Sequence, residues 1–94
     1  MSKYLLDQTN SFKKDLRHAK KCGYKMELLH EIIDKLQDGE PLPSHNRDHA
    51  LTGKWRGFRE CHIQPDWLLV YKYSDSELVL SLTRTGSHSY LELD

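Results

Sequence analysis

Imidazole and carboxylate side chains crowd the second half of the sequence. Asp48-His49 follows a proline-bearing stretch, Glu60-Cys61-His62 lies in an apolar run, Pro65-Asp66-Trp67 spans a turn-forming point, and Arg84 and His88 flank Gly86-Ser87. Histidine titrates near neutrality and suits both halves of a proton transfer. Arginine's planar fork matches phosphate oxygens. Cleaving RNA without a metal needs a base for the 2′-hydroxyl, an acid for the leaving 5′-oxygen and a cation for the charge that builds on phosphate. The set His49, His62, Asp66, Arg84 and His88 contains each of these parts. The imidazoles lack short ligand spacing such as HExxH and the two cysteines lack CxxC spacing, so neither a metal nor a cofactor is expected.

Each histidine taken singly also has an ordinary reading as a surface or structural residue. His18 and His30 fall on helix faces among lysines and acids and read as solvated side chains; His45 reads as a loop residue. Trp67 is open to two readings, a platform for an unpaired base or a large core residue that begins a strand. Trp55, between Lys54 and Arg56, has the same two. Lys13, Lys14, Arg17, Lys20 and Lys21 are opposed only by Asp15. They form the wet face of an amphipathic helix, and Lys13, Lys14 and Arg17 are candidates for contact with RNA phosphates.

The elements that must position these groups are legible from periodicity. Lys3 to Asp7 reads as a short first strand, and Asn10 or Ser11 as the N-cap of a helix with Phe12, Leu16 and Ala19 on one face. Gly23 stops it. A second helix carries Met26, Leu29, Ile33 and Leu36 at helical spacing, widened by Leu28 and Ile32, and Gly39 follows its end. The two helices make an antiparallel hairpin through Cys22-Gly23-Tyr24. Pro41 and Pro43 mark a loop. Phe58 to Ile63, Trp67 to Tyr73 and Glu77 to Thr85 then read as a three-strand antiparallel meander. The predicted fold is α+β: a two-helix hairpin packed on one face of a small, mostly antiparallel twisted sheet whose other face stays free. Period-two alternation puts Glu60 and His62 on one face and Cys61 and Ile63 on the other. If the apolar pair meets the helices, His62 faces the open side, which suits a substrate too large for a closed pocket.

Composition sets the outer bounds. A chain of 94 residues supports one core, so residues 1–94 read as a single domain. Hydrophobic residues at 37% and charged residues at 30% are those of an ordinary globular protein. No apolar run approaches membrane-spanning length, and the start lacks a signal-peptide core, so the expected location is the cytoplasm. Cys22 and Cys61 are expected to be free thiols. The formal net charge of +0 argues against binding nucleic acid through bulk charge and leaves that task to the local basic segment. Leu91 to Asp94 reads as a loose end.

Three stretches resemble one family, the YafQ type of the RelE/ParE toxin superfamily. They are Arg47-Asp48-His49-Ala50-Leu51-Thr52-Gly53, Arg59 to Lys72 with its Glu60-Cys61-His62-Ile63-Gln64-Pro65-Asp66-Trp67 core, and Arg84-Thr85-Gly86-Ser87-His88-Ser89. Phe12-Lys13-Lys14-Asp15-Leu16 and Gly39-Glu40-Pro41-Leu42-Pro43 resemble the family's helical half, so the likeness covers nearly the whole chain. It implies a toxin of a type II toxin–antitoxin pair that enters the A site of the 30S ribosome and cuts translated mRNA without a metal. It maps the catalytic set onto His49, His62, Asp66 and His88, with Trp67 and Arg84 in support. In this assignment His49 or His62 is a proton-transfer partner, Asp66 accepts or orients a proton, and His88 is the leaving-group acid. The implied protein partner is a dimeric DNA-binding antitoxin whose flexible tail wraps the toxin. The chain departs from the family in its neutral charge and in Glu92-Leu93-Asp94, which stand where many members end in Leu-Phe.

Two other functions fit the fold. A ParE-like toxin would bind DNA gyrase without catalysis, and a non-catalytic regulator would bind RNA or the ribosome. The histidine and aspartate set separates them from a ribonuclease, since a pure binder has no use for it.

Overall fold

A computed structural model describes residues 2–92 of the chain. A five-stranded sheet runs in the order β1-β5-β4-β3-β2, with β1 at Leu5–Gln8, β2 at His49–Ala50, β3 at Arg59–Gln64, β4 at Trp67–Ser74 and β5 at Val79–Gly86. The β1–β5 pair is parallel and every other pair antiparallel. Helices α1, Asn10–Lys21, and α2, Met26–Gln37, pack on one face, and a one-turn α3, His88–Leu91, follows β5. The expected α+β arrangement is the one observed.

The first helix starts one residue earlier than its capping residues suggest. Thr9 is the N-cap, and its Oγ1 accepts from the Phe12 N–H at 3.0 Å while its hydroxyl donates to the Thr83 carbonyl at 2.8 Å. One side chain therefore caps α1 and fastens it to β5. The helical faces are those read from the spacing: Phe12, Ala19, Leu29, Ile32, Ile33 and Leu36 are buried, with Leu16, Met26 and Leu28 partly so. Gly23, at φ +81, supplies the left-handed turn of the hairpin.

Four expectations need correction. The first strand covers Leu5–Gln8 rather than Lys3 to Asp7, and all of it is exposed, because β1 is an edge strand. The last strand begins at Val79 rather than Glu77, since Leu78 takes φ +54, which ends strand geometry. The face opposite the helices is not free along its centre: Leu68 and Val70 are 2% and 0% exposed. At the sheet's other elements α3 contacts β5, and a turn at Ser44–Asn46 contacts β3. Of the C-terminal stretch expected to be loose, Leu91 is buried, and Leu93 and Asp94 lie outside the described residues.

Two irregularities flank the chemistry-bearing end of the sheet. His62 pairs with Leu68 and Gln64 with Trp67, so Ile63 is an extra residue on β3. Val70 pairs with Arg84 and Tyr71 with Leu82, so Thr83 is an extra residue on β5. Such bulges bend a strand and re-aim the side chains beside them. Here those neighbours are His62 and Arg84.

Candidate active site

His49, Glu60, His62, His88 and Asp66 form a file across the sheet. His49 pairs with Glu60 in the β2–β3 ladder, and its Nε2 lies 3.4 Å from Glu60 Oε1. Glu60 and His62 share a face of β3, while Cys61 between them is buried in the helix-side core. The His62 and His88 rings are 5.6 Å apart between centroids. His88 Nδ1 lies 2.5 Å from Asp66 Oδ1, which also accepts the backbone N–H of His88 at 2.9 Å.

Several parts of the fold hold these groups: β2 carries His49, and β3 carries both Glu60 and His62. Asp66 sits at the tip of the β3–β4 hairpin and His88 opens α3, whose N-cap Ser87 accepts from Tyr90 N–H at 3.1 Å. His62 Nδ1 lies 3.3 Å from the Pro65 carbonyl, and the His62 carbonyl accepts from Asn46 Nδ2 at 2.7 Å. The pair is open to solvent, with 58% of the His88 side chain and 69% of the Asp66 side chain exposed, so this is a shallow site. His88 nonetheless holds the Asp66 carboxyl below its ordinary range, through the backbone N–H first and the ring second.

The segment carrying His49 is clamped from behind. Tyr71 O–H donates to Asp48 Oδ1, and Arg59 Nη2 donates to Asp48 Oδ2 at 3.1 Å. Burial, and then Asp48, push the Tyr71 phenol far above its usual value; the Asp48 hydrogen bond raises Arg59. His49 Nδ1 lies 2.7 Å from the Arg47 carbonyl, where Arg47 takes the left-handed φ +47.

Arg84 is fixed by a buried carboxylate. Asp15, 2% exposed on α1, accepts from Arg84 Nε at 2.6 Å, from Arg84 Nη2 at 3.2 Å and from Thr85 N–H at 3.1 Å. β1 pairs with β5 only as far as Leu82, so past that point Asp15 takes an N–H that no strand partner covers. The pair raises Arg84 above its ordinary value, with the Asp15 hydrogen bond as the first cause.

Trp67 departs from one of its two readings. It is 1% exposed, its Nε1 donates to Thr85 Oγ1 at 3.0 Å, and its ring packs 4.8 Å from that of Tyr24. No ring face is open to an RNA base, and the residue is core. Lys14 and Arg17 line an open groove of about 540 Å³ with His18, Lys21 and Tyr90; Lys13 is exposed outside that lining. A second groove, about 610 Å³, includes His45, Arg47 and His62. His45 thus stands beside His62.

Glu60 and Asp48 were visible as carboxylates next to histidines, but nothing in the spacing marks them as holders of His49. The pairing of β2 with β3 does that, and a two-residue strand leaves almost no periodic signal. His18 is likewise more than a solvated side chain: its ring stacks on that of Tyr90 at 4.3 Å and 8°.

Residues 4–93 match the family described as bacterial toxin of type II toxin–antitoxin system, YafQ. The chain belongs to the YafQ toxin family. The mRNA interferase toxin YafQ of Escherichia coli (strain K12) is 36% identical over 92% of each chain. A crystal structure of the E. coli DinJ–YafQ toxin–antitoxin complex superposes with TM-score 0.86 at 34% identity, covering 95% of this chain and 97% of that one. A metal-bound toxin from Helicobacter pylori gives TM-score 0.88 at 40% identity, with 94% and 98% covered. The family's fold is thus shared along nearly the full length. Among the described residues of this YafQ-family chain, no group of three or more His, Cys, Asp and Glu side chains is arranged to hold a metal ion, and no helix is long and apolar enough to cross a membrane.

Proposed function

We propose that this chain is an mRNA interferase, a ribosome-dependent endoribonuclease that cuts translated mRNA by attack of the 2′-hydroxyl on the adjacent phosphate. The observation that carries the reading is the His62–His88–Asp66 arrangement. Two imidazoles 5.6 Å apart can address opposite sides of one phosphodiester, and one of them is backed by a carboxylate.

Hydrogen-bond partners support a division of roles. A carbonyl oxygen only accepts, so His62 keeps its proton on Nδ1 toward Pro65 and presents a lone pair on Nε2. His62 is the base that takes the 2′-hydroxyl proton. His88 donates Nδ1–H to Asp66, and Asp66 stabilises the imidazolium whose Nε2–H protonates the leaving 5′-oxygen. Both nitrogens of His49 face acceptors, the Arg47 carbonyl and Glu60. Arg84 supplies positive charge for the phosphate, His49 is a further proton-transfer partner, and Lys14 and Arg17 meet RNA phosphates further along the strand.

The shallow, exposed geometry favours a substrate presented on a large surface, here mRNA in the ribosomal A site. A gyrase-binding toxin or a non-catalytic regulator has no use for three oriented imidazoles. A cognate antitoxin is the proposed protein partner, by relation to the E. coli DinJ complex, and the ribosomal substrate places the reaction in the cytoplasm. A single 2′-deoxy nucleotide at the scissile position tests the chemistry. It should abolish cleavage at that position, and the unmodified message should yield a 2′,3′-cyclic phosphate end. Cleavage that survives the deoxy substitution would exclude 2′-hydroxyl attack.

A further inference from the structure

His88 sits at the start of a helix of a single turn, and a lone turn does not hold itself in water. Something outside α3 must therefore fix it. Leu91 anchors one side by burial at 6% exposure. On the other side the Tyr90 ring is clasped between two elements. It stacks on His18 of α1, with centroids 4.3 Å apart and planes 8° from parallel. It also lies against the β5 backbone at Gly86, where a Cβ would come within 2.5 Å of Tyr90 Cδ2. Gly86 has φ +153, so both space and conformation at that point require glycine. The His18 ring is itself held at its edge, its Nε2 3.5 Å from Cys22 Sγ.

We propose that Tyr90 is a positioning residue that acts through α3 to hold His88 on Asp66. The stack spans the gap between the first helix and the last, two residues from the catalytic imidazole. Without it, α3 keeps the Leu91 anchor, the Ser87 cap and the His88 N–H bond to Asp66, and the His88 ring leaves the 2.5 Å contact for part of the time. Tyr90 touches no reacting atom. The phenol also lies beside the Asp15 carboxylate, and Tyr90→Phe separates that contact from the ring stack.

The kinetic part of this inference rests on the ribonuclease reading; its spectroscopic part does not. The experiment compares the full chain with Tyr90→Ala, Tyr90→Phe and His18→Ala. On programmed ribosomes, Tyr90→Ala and His18→Ala should lower kcat about two- to tenfold, the range one aromatic pair supports, with KM unchanged. Tyr90→Phe, which keeps the ring, should restore the wild-type kcat. The two-bond 1H–15N spectrum of the His88 ring, recorded above the histidine titration range, should show the Nδ1–H tautomer in wild type and Tyr90→Phe and a tautomer mixture in Tyr90→Ala. A rise in KM alone would overturn the proposal and make the His18–Tyr90 pair an RNA-contacting surface. An unchanged His88 spectrum in Tyr90→Ala would also overturn it. If the wild-type protein does not cleave RNA, the ribonuclease reading falls, and the His88 spectrum alone decides the clasp.

Discussion

Asp66 Oδ1 accepts two hydrogen bonds from one residue, His88, through its backbone N–H at 2.9 Å and its ring Nδ1 at 2.5 Å. The backbone bond sets where α3 begins, and the ring bond sets the tautomer of the imidazole. A hairpin tip on one side of the site and a terminal helix on the other are thereby joined at a single oxygen.

That oxygen gives the first prediction. His88 lowers the folded-state pKa of Asp66, so the pair contributes stability above the ordinary aspartate value of 3.8 and loses it as pH falls through the lowered value. Carbon-detected titration of Asp66 should give a midpoint below 3.8, and His88→Ala should move it upward. A midpoint at or above 3.8 would show that the contact does not persist in solution.

The second prediction separates two ways of cutting the clamp behind His49. Asp48→Ala leaves the buried Tyr71 hydroxyl without its acceptor and should cost about 1–3 kcal/mol. Tyr71→Phe removes donor and need together and should cost about 1 kcal/mol or less. Urea unfolding of both proteins checks the order; equal costs would mean that Asp48 does not hold Tyr71.

Trp67 supplies the third. As a core residue whose indole bonds Thr85, it should affect stability when changed and leave RNA affinity alone. Trp67→Phe should destabilise the fold by roughly 1–3 kcal/mol, combining lost volume and an orphaned Thr85 partner. A raised KM in a protein of unchanged stability would restore the base-stacking reading.

The fourth concerns Asp15. Removing a buried carboxylate that holds Arg84 and a strand N–H should cost about 3 kcal/mol, the low end for breaking a buried pair, because the Arg84 side chain keeps 27% exposure. Asp15→Ala should therefore lower the thermal midpoint and reduce cleavage more than Arg84→Lys does. If Asp15→Ala is as stable as wild type, the carboxylate is not the anchor of that edge.

The sequence was most readable where periodicity or chemistry is local. The faces of α1 and α2 follow from apolar spacing, and Cys61 against His62 follows from strand alternation. The candidate residues His62, Asp66 and His88 stood out by type, and the fold brings those three together. What was not legible arises from long-range pairing. Asp15 reads as one acid in a basic run until the end of β1 leaves Thr85 N–H unpaired beside it. Tyr90 and His18 are 72 positions apart and carry no shared signal. Thr9, Asn10 and Ser11 are all capping types, and the contact from Thr9 to the Thr83 carbonyl, 74 positions away, carries no local signal.

In the proposed reaction the His88–Asp66 pair does acid–base work on mRNA held by the ribosome. The direct measurement is site-specific cleavage of a reporter mRNA on intact programmed ribosomes by the wild-type chain, His88→Ala and Asp66→Ala, with folding of each variant verified by circular dichroism. Ribosome-dependent cuts should appear, with a rate that falls about a hundred- to ten-thousandfold in His88→Ala and substantially in Asp66→Ala. Ribosome binding without cleavage by the wild-type chain, or cleavage that both folded variants retain, would contradict it.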